Sequence, residues 1–124
     1  MMKRQNSVAT VSLTPLLRNA NTDGTAVDLS GYMAASVTFM CGAITNGTHT
    51  PAVEESDDNT TFTAVASGSL SVAPANFTAN TTQHIEYLGS KRYIRAQVDS
   101  DGAAGAIYGA VIVRGRAMQN DAVR

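Results

Sequence analysis

The amino-acid sequence predicts an all-β protein, an antiparallel two-sheet sandwich of the jelly-roll type with an extended N-terminal arm. Composition is the first reason: the 124 residues include 14 Thr and 11 Val but only 6 Leu and 3 Glu, so β-branched residues outnumber the helix formers other than Ala. The second reason is the spacing of the predicted strands: about seven to nine short apolar segments recur roughly every 8–12 residues, as is typical of sandwiches. No segment shows sustained helical periodicity.

The length predicts one domain, since domains average about 100–200 residues. Residues 1–7 are polar and basic, and we expect a flexible arm that becomes ordered against a neighbouring protein. Residues 8–113 form the single β-sandwich domain, and residues 114–124 form a polar C-terminal tail. No apolar run approaches the roughly 18 residues of a membrane-spanning helix, so no membrane partner is predicted.

The first strand is predicted at 8–13, where apolar Ala9, Val11 and Leu13 alternate as on a half-buried strand. Residues 19–24 collect turn-forming residues. A short extended piece follows at 27–29, before a glycine.

The strongest strand signal lies at 36–44. Alternation places four apolar side chains on one face, Val37, Phe39, Cys41 and Ala43. The opposite face is also fairly apolar, which predicts a central position in a sheet. An Asn-Gly turn follows at 46–47.

A hairpin is predicted next, with strands at 51–56 and 61–66 joined by a turn at 57–59. The stretch 67–82 is rich in Ser, Thr, Ala and Asn, and we expect one short strand within a long surface loop.

The last three strands are predicted at 83–88, 92–98 and 106–113. In the middle one, Ile94, Ala96 and Val98 face inward. A turn at 99–105 is expected to join the last two strands as a hairpin, and Gly109 marks a bulge or a point of close packing.

Basic residues at the strand ends and in the arm are the candidate partner contacts. The expected hairpin would bring several of them together as a patch for an acidic partner or a phosphate backbone, against the alternative of ordinary solvated strand ends. The net charge of −1 and the small number of aromatic residues disfavour nucleic acid as the partner. The candidates are Lys3, Arg4, Lys91, Arg92, Arg95, Arg114 and Arg116.

Two acidic stretches are candidate metal sites. The run Glu54 to Asp58 offers oxygen ligands for Ca²⁺, but Glu54 and Glu55 point to opposite faces of a strand, which favours a solvated hairpin tip. The segment Asp99 to Gly102 opens like a calcium loop, but it lacks the later ligands and flanking helices, which favours a turn. No metal or other cofactor is predicted.

Catalysis is not predicted either. His49, His84 and Cys41 have no spacing typical of a zinc site or of a nucleophile and its base. Glu54 and Glu86 are a conceivable carboxylate pair for glycoside hydrolysis, but nothing in the sequence places them together. The sequence therefore predicts a protein that is not an enzyme and takes no small-molecule substrate.

A series of short motifs follows one another along most of the chain: DLSGY at 28–32, SVTF at 36–39, GAIT at 42–45, ESDD at 55–58, TFT at 61–63, YLGSKRYIR at 87–95 and GAVIVRG at 109–115. In this order they resemble small structural proteins encoded near the capsid genes of tailed bacteriophages. The resemblance covers roughly residues 28–116 and carries no catalytic residue.

The resemblance implies a virion component, most specifically a capsid decoration, or cement, protein. Such a protein is made in the bacterial cytoplasm, binds the outer surface of the major capsid protein shell and stabilises it. A homo-oligomer is expected, with a trimer as the favoured state and open sheet edges capped between protomers. The alternatives are a head-to-tail connector or tail protein, and a carbohydrate-binding module. A carbohydrate module usually presents a platform of aromatic side chains, and this chain has no Trp and four scattered Tyr.

Overall fold

The computed structural model describes residues 6–101 and 105–116, and their regular structure is almost entirely β. The strands are β1 (Asn6–Arg18), β2 (Thr22–Asp23), β3 (Val27–Asp28), β4 (Ala34–Ile44), β5 (Thr48–Ser56), β6 (Thr63–Ala64), β7 (Thr81–Tyr87), β8 (Tyr93–Asp101) and β9 (Ala106–Arg116). A single 3₁₀ turn covers Ser67–Ser69. In the described residues no helix is long and apolar enough to cross a membrane.

The strands form two antiparallel sheets. Sheet I has the order β1-β9-β4-β7, and sheet II has the order β2-β8-β5-β6, with β3 also paired to β8. Most strands that are neighbours within a sheet are far apart along the chain, and this strand order is that of a jelly roll. The predicted all-β sandwich is therefore confirmed.

The core lies between the inward faces of the two sheets. Ile94, Ala96 and Val98 of β8 are fully buried, as their alternation predicts. Strand β4 lies between β9 and β7, which confirms its predicted central position. The largest fully buried side chains come from both sheets: Tyr108, Phe39, Ile85, Ile94, Ile112, His49, Val37, Val53 and Val98.

Strand β1 departs from simple alternation. The pairing register with β9 shifts between Val11 and Leu13, so Leu13 is 2% exposed whereas Val11 is 48% exposed. The prediction that Ala9, Val11 and Leu13 share a buried face is wrong, because a β-bulge reverses the face on which the strand places its side chains. Ser12 is buried beside the shift, donating to the Thr25 carbonyl and accepting from the backbone N–H of Ala96.

Strand β4 also has a register shift near its end, between Cys41 and Ile44. Ala43 is consequently exposed, and its predicted place on the buried face of β4 is wrong. The Asn-Gly turn then carries the chain from sheet I into sheet II. Gly47 has φ +83° there, and a Cβ would lie 2.3 Å from the Asp101 carbonyl oxygen, so glycine is required.

The predicted hairpin between the last two strands is also wrong, since β8 lies in sheet II and β9 in sheet I. Residues 102–104 of the predicted 99–105 turn lie outside the described residues. The predicted hairpin at 51–66 does form, but its ladder is short: Glu54 pairs with Ala64 and Glu55 with Thr63, and the Val65 N–H donates to the Val53 carbonyl.

Strand pairing extends past both ends of the predicted 8–113 body. Asn6 pairs with Arg116 and Ser7 with Gly115, so the predicted arm and tail each contribute residues to sheet I. The rest of the predicted arm (1–5) and of the predicted tail (117–124) lies outside the described residues.

The 67–82 stretch contains an isolated bridge between Leu70 and Tyr87. Most of this stretch is exposed, as expected of a surface loop, but Leu70 and Phe77 are buried and anchor the connection in the core.

Candidate interaction surfaces

Four of the seven predicted contact residues, Lys91, Arg92, Arg95 and Arg114, have described side chains. Lys3 and Arg4 lie outside the described residues. Arg116 is described through its backbone only, as the last residue of β9. The four described residues divide between one end of the sandwich and the outer face of sheet II.

Three of them lie at one end, formed by residues 28–33, 88–92 and 114–115 and called the basic end below. The Arg92 guanidinium donates two hydrogen bonds of 2.9 Å to the Asp28 carboxylate. Arg114 donates to the Asp28 carbonyl oxygen, and its guanidinium carbon lies 4.7 Å from the centre of the Tyr32 ring. Asp28 therefore joins Arg92, in the loop before β8, to Arg114 of β9 in sheet I.

The electrostatics at Asp28 reflect this pairing. The hydrogen bonds from Arg92, followed by the backbone N–H of Ser30, lower the pKa of the Asp28 carboxyl to about 2. The same interaction raises the pKa of Arg92. Both groups stay charged across the physiological range.

Lys91 belongs to a second network at the basic end. Its ammonium lies 2.7 Å from the Asp57 carboxylate, and its backbone N–H donates to the Tyr87 hydroxyl at 3.0 Å. The Tyr87 hydroxyl in turn donates to Glu55 at 2.7 Å. Burial, followed by the hydrogen bond to Glu55, raises the pKa of Tyr87 above its usual range. This network ties β7 of sheet I to β5 of sheet II.

A shallow cavity of about 140 Å³ lies at the basic end, with Met33, Tyr87, Lys91 and Arg92 among its lining residues. Met33 is 74% exposed, and Leu88 in the same loop as Lys91 is 59% exposed. The cations around them are already paired with carboxylates or carbonyls. The basic end therefore presents apolar side chains beside neutralised charges, and it is not a free cationic patch.

Arg95 lies elsewhere, on the outer face of sheet II. Its guanidinium is 2.7 Å from Glu54 and 3.5 Å from Asp23, and its central carbon lies 4.1 Å from the centre of the Phe62 ring. Gln97 and Asp99 on the same face hydrogen-bond each other. This face is charged, polar and internally paired.

The outer face of sheet I has the opposite character. Strand register and alternation place on it Ala9, Val11 and Leu17 of β1, Ile107, Val111 and Val113 of β9, Ser36, Thr38 and Met40 of β4, and Thr82, His84 and Glu86 of β7. Among the described outward positions of these strands, Glu86 is the one charged residue. The outer face of sheet I therefore carries an apolar stripe on β1 and β9 and a mostly uncharged polar half on β4 and β7, whereas the outer face of sheet II carries several paired charges.

Sequence reasoning did not identify this apolar face. The sequence did contain a signal for it, because in 106–113 and in β4 the residues on both faces of the strand are largely apolar. A strand that is apolar on both faces predicts a central position in a sheet, and it also indicates that the outward face contacts another protein.

The candidate catalytic residues do not converge. His49 is buried and hydrogen-bonds the Ser100 hydroxyl and the Asn46 carbonyl, whereas His84 lies on the outer face of sheet I beside Thr38. Burial raises the pKa of the Cys41 thiol, which faces the core.

Glu54 and Glu86, the conceivable carboxylate pair, lie on the outer faces of different sheets. Across 6–101 and 105–116 no group of three or more His, Cys, Asp or Glu side chains is placed to hold a metal ion.

The acidic hairpin tip is organised by its own backbone. The Asp58 carboxylate accepts from the N–H groups of Thr61 and Thr60 and from the Ser56 hydroxyl, and these bonds lower its pKa. Asp57 and Glu55 are engaged by Lys91 and Tyr87. This geometry is typical of a capped turn.

Three solved structures share the fold. The PBSX exported protein XepA matches with a TM-score of 0.60 and 22% identity, over 90% of this chain and 38% of that one. Bacillus endospore appendages, which form a novel family of disulfide-linked pili, match with a TM-score of 0.53 and 13% identity, over 94% and 93% of the two chains. A structure of infectious bursal disease virus, Gx strain, matches with a TM-score of 0.54 and 11% identity, over 95% and 34%.

At these identities the likeness shows a common sandwich fold. The chain spans about two fifths of the length of XepA and about one third of the matched virus chain. No protein-family model and no curated protein matches the sequence.

Proposed function

We propose that this chain is a structural protein of a virion, specifically a capsid decoration protein that binds the outer surface of the major capsid protein shell and stabilises it. The observation that carries the proposal is the concentration of exposed apolar side chains on two surfaces, the basic end and the outer face of sheet I. Contiguous apolar surface of this kind is typical of protein contact sites. The fold shared with the PBSX exported protein and with the virus structure supports the same reading.

The basic end is the proposed contact with the shell. Met33 and Leu88 are apolar and exposed. Met33 lines the shallow cavity together with Lys91 and Arg92, and Leu88 precedes these two residues in the same loop. Protein interfaces combine such apolar anchors with a polar rim. Asn6, the first described residue, pairs with Arg116 next to this end, and Lys3 and Arg4 precede it in the sequence. We expect these two residues to add contacts with the shell.

The remaining parts of the proposal follow from the same role. The protein acts as a homo-oligomer on the capsid surface after synthesis in the bacterial cytoplasm. It performs no catalysis, holds no cofactor, and takes no nucleic acid, membrane or small molecule as its partner.

The proposal is tested with particles that lack this protein, to which purified full-length chain is added. We expect saturable binding at a copy number comparable to that of the capsid protein, together with a higher temperature of particle disruption. Met33→Glu and Leu88→Glu each place a charge at the proposed contact and should weaken binding at least tenfold. Val72→Glu is the control, because Val72 is 55% exposed and lies in the 67–82 connection, outside the residues that form the basic end.

Three results would contradict the proposal. If Met33→Glu, Leu88→Glu and Val72→Glu bind the particles equally well, the basic end is not the contact with the shell. Binding confined to one vertex or to the tail would instead indicate a connector or tail protein. Retention on a defined glycan, with no binding to particles, would indicate a carbohydrate module.

A further inference from the structure

We propose that the outer face of sheet I packs against the same face of a second copy of this chain, forming a two-fold symmetric pair of sandwiches. The inference rests on this face alone and is independent of the basic end.

The edges of the sheets offer little room for self-association. Strand β1 is the long edge of sheet I, but its pairing with β9 has two register shifts. It also includes Pro15, which has no backbone N–H to donate, and the Ser12 carbonyl already accepts a hydrogen bond from the Thr25 N–H. Bulges and proline are devices that protect an edge from pairing.

The other edges are protected too. On the far side of sheet I, the Glu86 carbonyl accepts from Ser71, and Leu88 donates to the Ser69 carbonyl, so the 69–71 segment covers β7. The outer strands of sheet II, β2, β3 and β6, are two residues long. Contact through a face is therefore favoured over contact through an edge.

Three of the exposed large apolar side chains lie on this face. They are Val11 and Leu17 of β1 and Ile107 of β9. Val8 and Leu16 of β1 are also exposed, but they pair with Arg114 and Tyr108 and lie on the other side of the strand. Val11 stands opposite Val111, and Leu17 stands opposite Ile107, so the two strands present a continuous apolar stripe. Cross-strand neighbours this close behave as one surface.

The size of the face suits a stable pair. Four strands spaced by about 4.8 Å and about 11 residues rising by roughly 3.4 Å each give an area of about 700 Å². A standard protein–protein interface takes about 800 Å² from each partner. The face is therefore large enough to form a stable interface with little help from other surfaces.

Charge selects a second copy as the occupant. The stripe on β1 and β9 and its neighbours on β4 carry no charged side chain among the described outward positions, and Glu86 lies at the β7 margin. Two copies related by a two-fold axis place apolar stripe on apolar stripe, as aligned sheets pack inside a sandwich. The outer face of sheet II is a poor partner, because Arg95 and Glu54 would lose solvent without gaining a new partner.

Sedimentation equilibrium of the full-length chain tests the inference, at concentrations up to about 100 μM. We expect a dimer whose dissociation constant rises at least tenfold in Val11→Glu and in Ile107→Glu, and stays unchanged in Val72→Glu. Salt between about 0.1 and 1 M should not dissociate the dimer, because its contact is apolar. Circular dichroism and thermal unfolding establish that each variant is folded.

A monomer at all concentrations, a trimer, or a dimer equally stable in all three variants would overturn the inference. A salt-sensitive dimer that responds to Met33→Glu would place self-association at the basic end instead. Particle binding is scored separately, so failure of the dimer and failure of shell attachment are distinguishable results.

Discussion

Phe77 holds the irregular 70–80 connection onto the core, and its removal is the sharpest test of how the sandwich is closed. The Phe77 ring meets Phe39 edge-on at 5.9 Å and lies 5.2 Å from the Tyr108 ring, measured between ring centroids. Its backbone N–H donates to the His49 carbonyl at 2.8 Å. One side chain of a connecting segment therefore contacts both β4 and β9.

Replacing Phe77 by Ala should cost about 3 to 5 kcal/mol of the free energy of unfolding, the usual range for a buried Phe that leaves a cavity. Loss of the two ring contacts is part of this cost, because each aromatic pair contributes about 0.5 to 1.5 kcal/mol beyond buried area. Domains have total stabilities of about 5 to 15 kcal/mol, so the variant should remain folded only marginally. At roughly 3 to 5 °C per kcal/mol, Tm should fall by about 10 to 20 °C.

Urea unfolding followed by circular dichroism measures this difference. Phe77→Leu is the first control, and it should cost less than half as much as Phe77→Ala, because it keeps most of the apolar volume. Val72→Ala is the second control, on an exposed residue of the same connection, and should change stability by less than about 0.5 kcal/mol. A loss below about 1 kcal/mol in Phe77→Ala would mean that the Phe77 ring does not hold the connection onto the core.

Two further predictions concern the basic end. The pKa of Asp28 is lowered to about 2 in the folded chain. The Asp28–Arg92 pair therefore stabilises the folded state fully above the ordinary Asp pKa of about 4, and this stabilisation is lost as the pH falls through about 2. Asp28→Asn should therefore lower the urea midpoint at pH 7 and match the unsubstituted chain near pH 2; an equal deficit at both pH values would contradict the pairing. Tyr87→Phe leaves the Glu55 carboxylate and the Lys91 N–H without the Tyr87 hydroxyl and should cost about 1 to 3 kcal/mol in the same assay. An unchanged midpoint in that variant would show that the link between the sheets contributes nothing.

Local pattern predicted several elements of the fold correctly. The alternation of Ile94, Ala96 and Val98 assigned the buried face of β8, and the two apolar sides of β4 indicated a central strand. Both follow from the period of two that any strand imposes on its own side chains. The Asn-Gly turn at 46–47 is local in the same sense, since Gly47 needs a positive φ wherever the turn leads.

Site prediction was less complete, for a reason visible at Arg92 and Arg114. The sequence grouped them through an expected hairpin of β8 and β9, whereas they meet because both bind Asp28, which is 64 and 86 residues away along the chain. Arg95 is only three residues from Arg92 yet points to the outer face of sheet II. Charged residues near in sequence were thus separated, and distant ones were joined.

Alternation along the chain was enough to predict that the protein is built of strands, where most of them lie, and which side chains of β8 and of most of β4 are buried, because these properties depend on neighbours in the sequence. The assembled fold was needed to show which strands share a sheet, where β1 shifts its register, and that the apolar stripe lies on the outer face of sheet I while the charges lie on sheet II. Each of these depends on contacts between segments far apart in sequence, and a period-two pattern is compatible with many such pairings. Val11 shows the difference: its alternation with Leu13 predicted burial, and a single bulge against β9 exposed it.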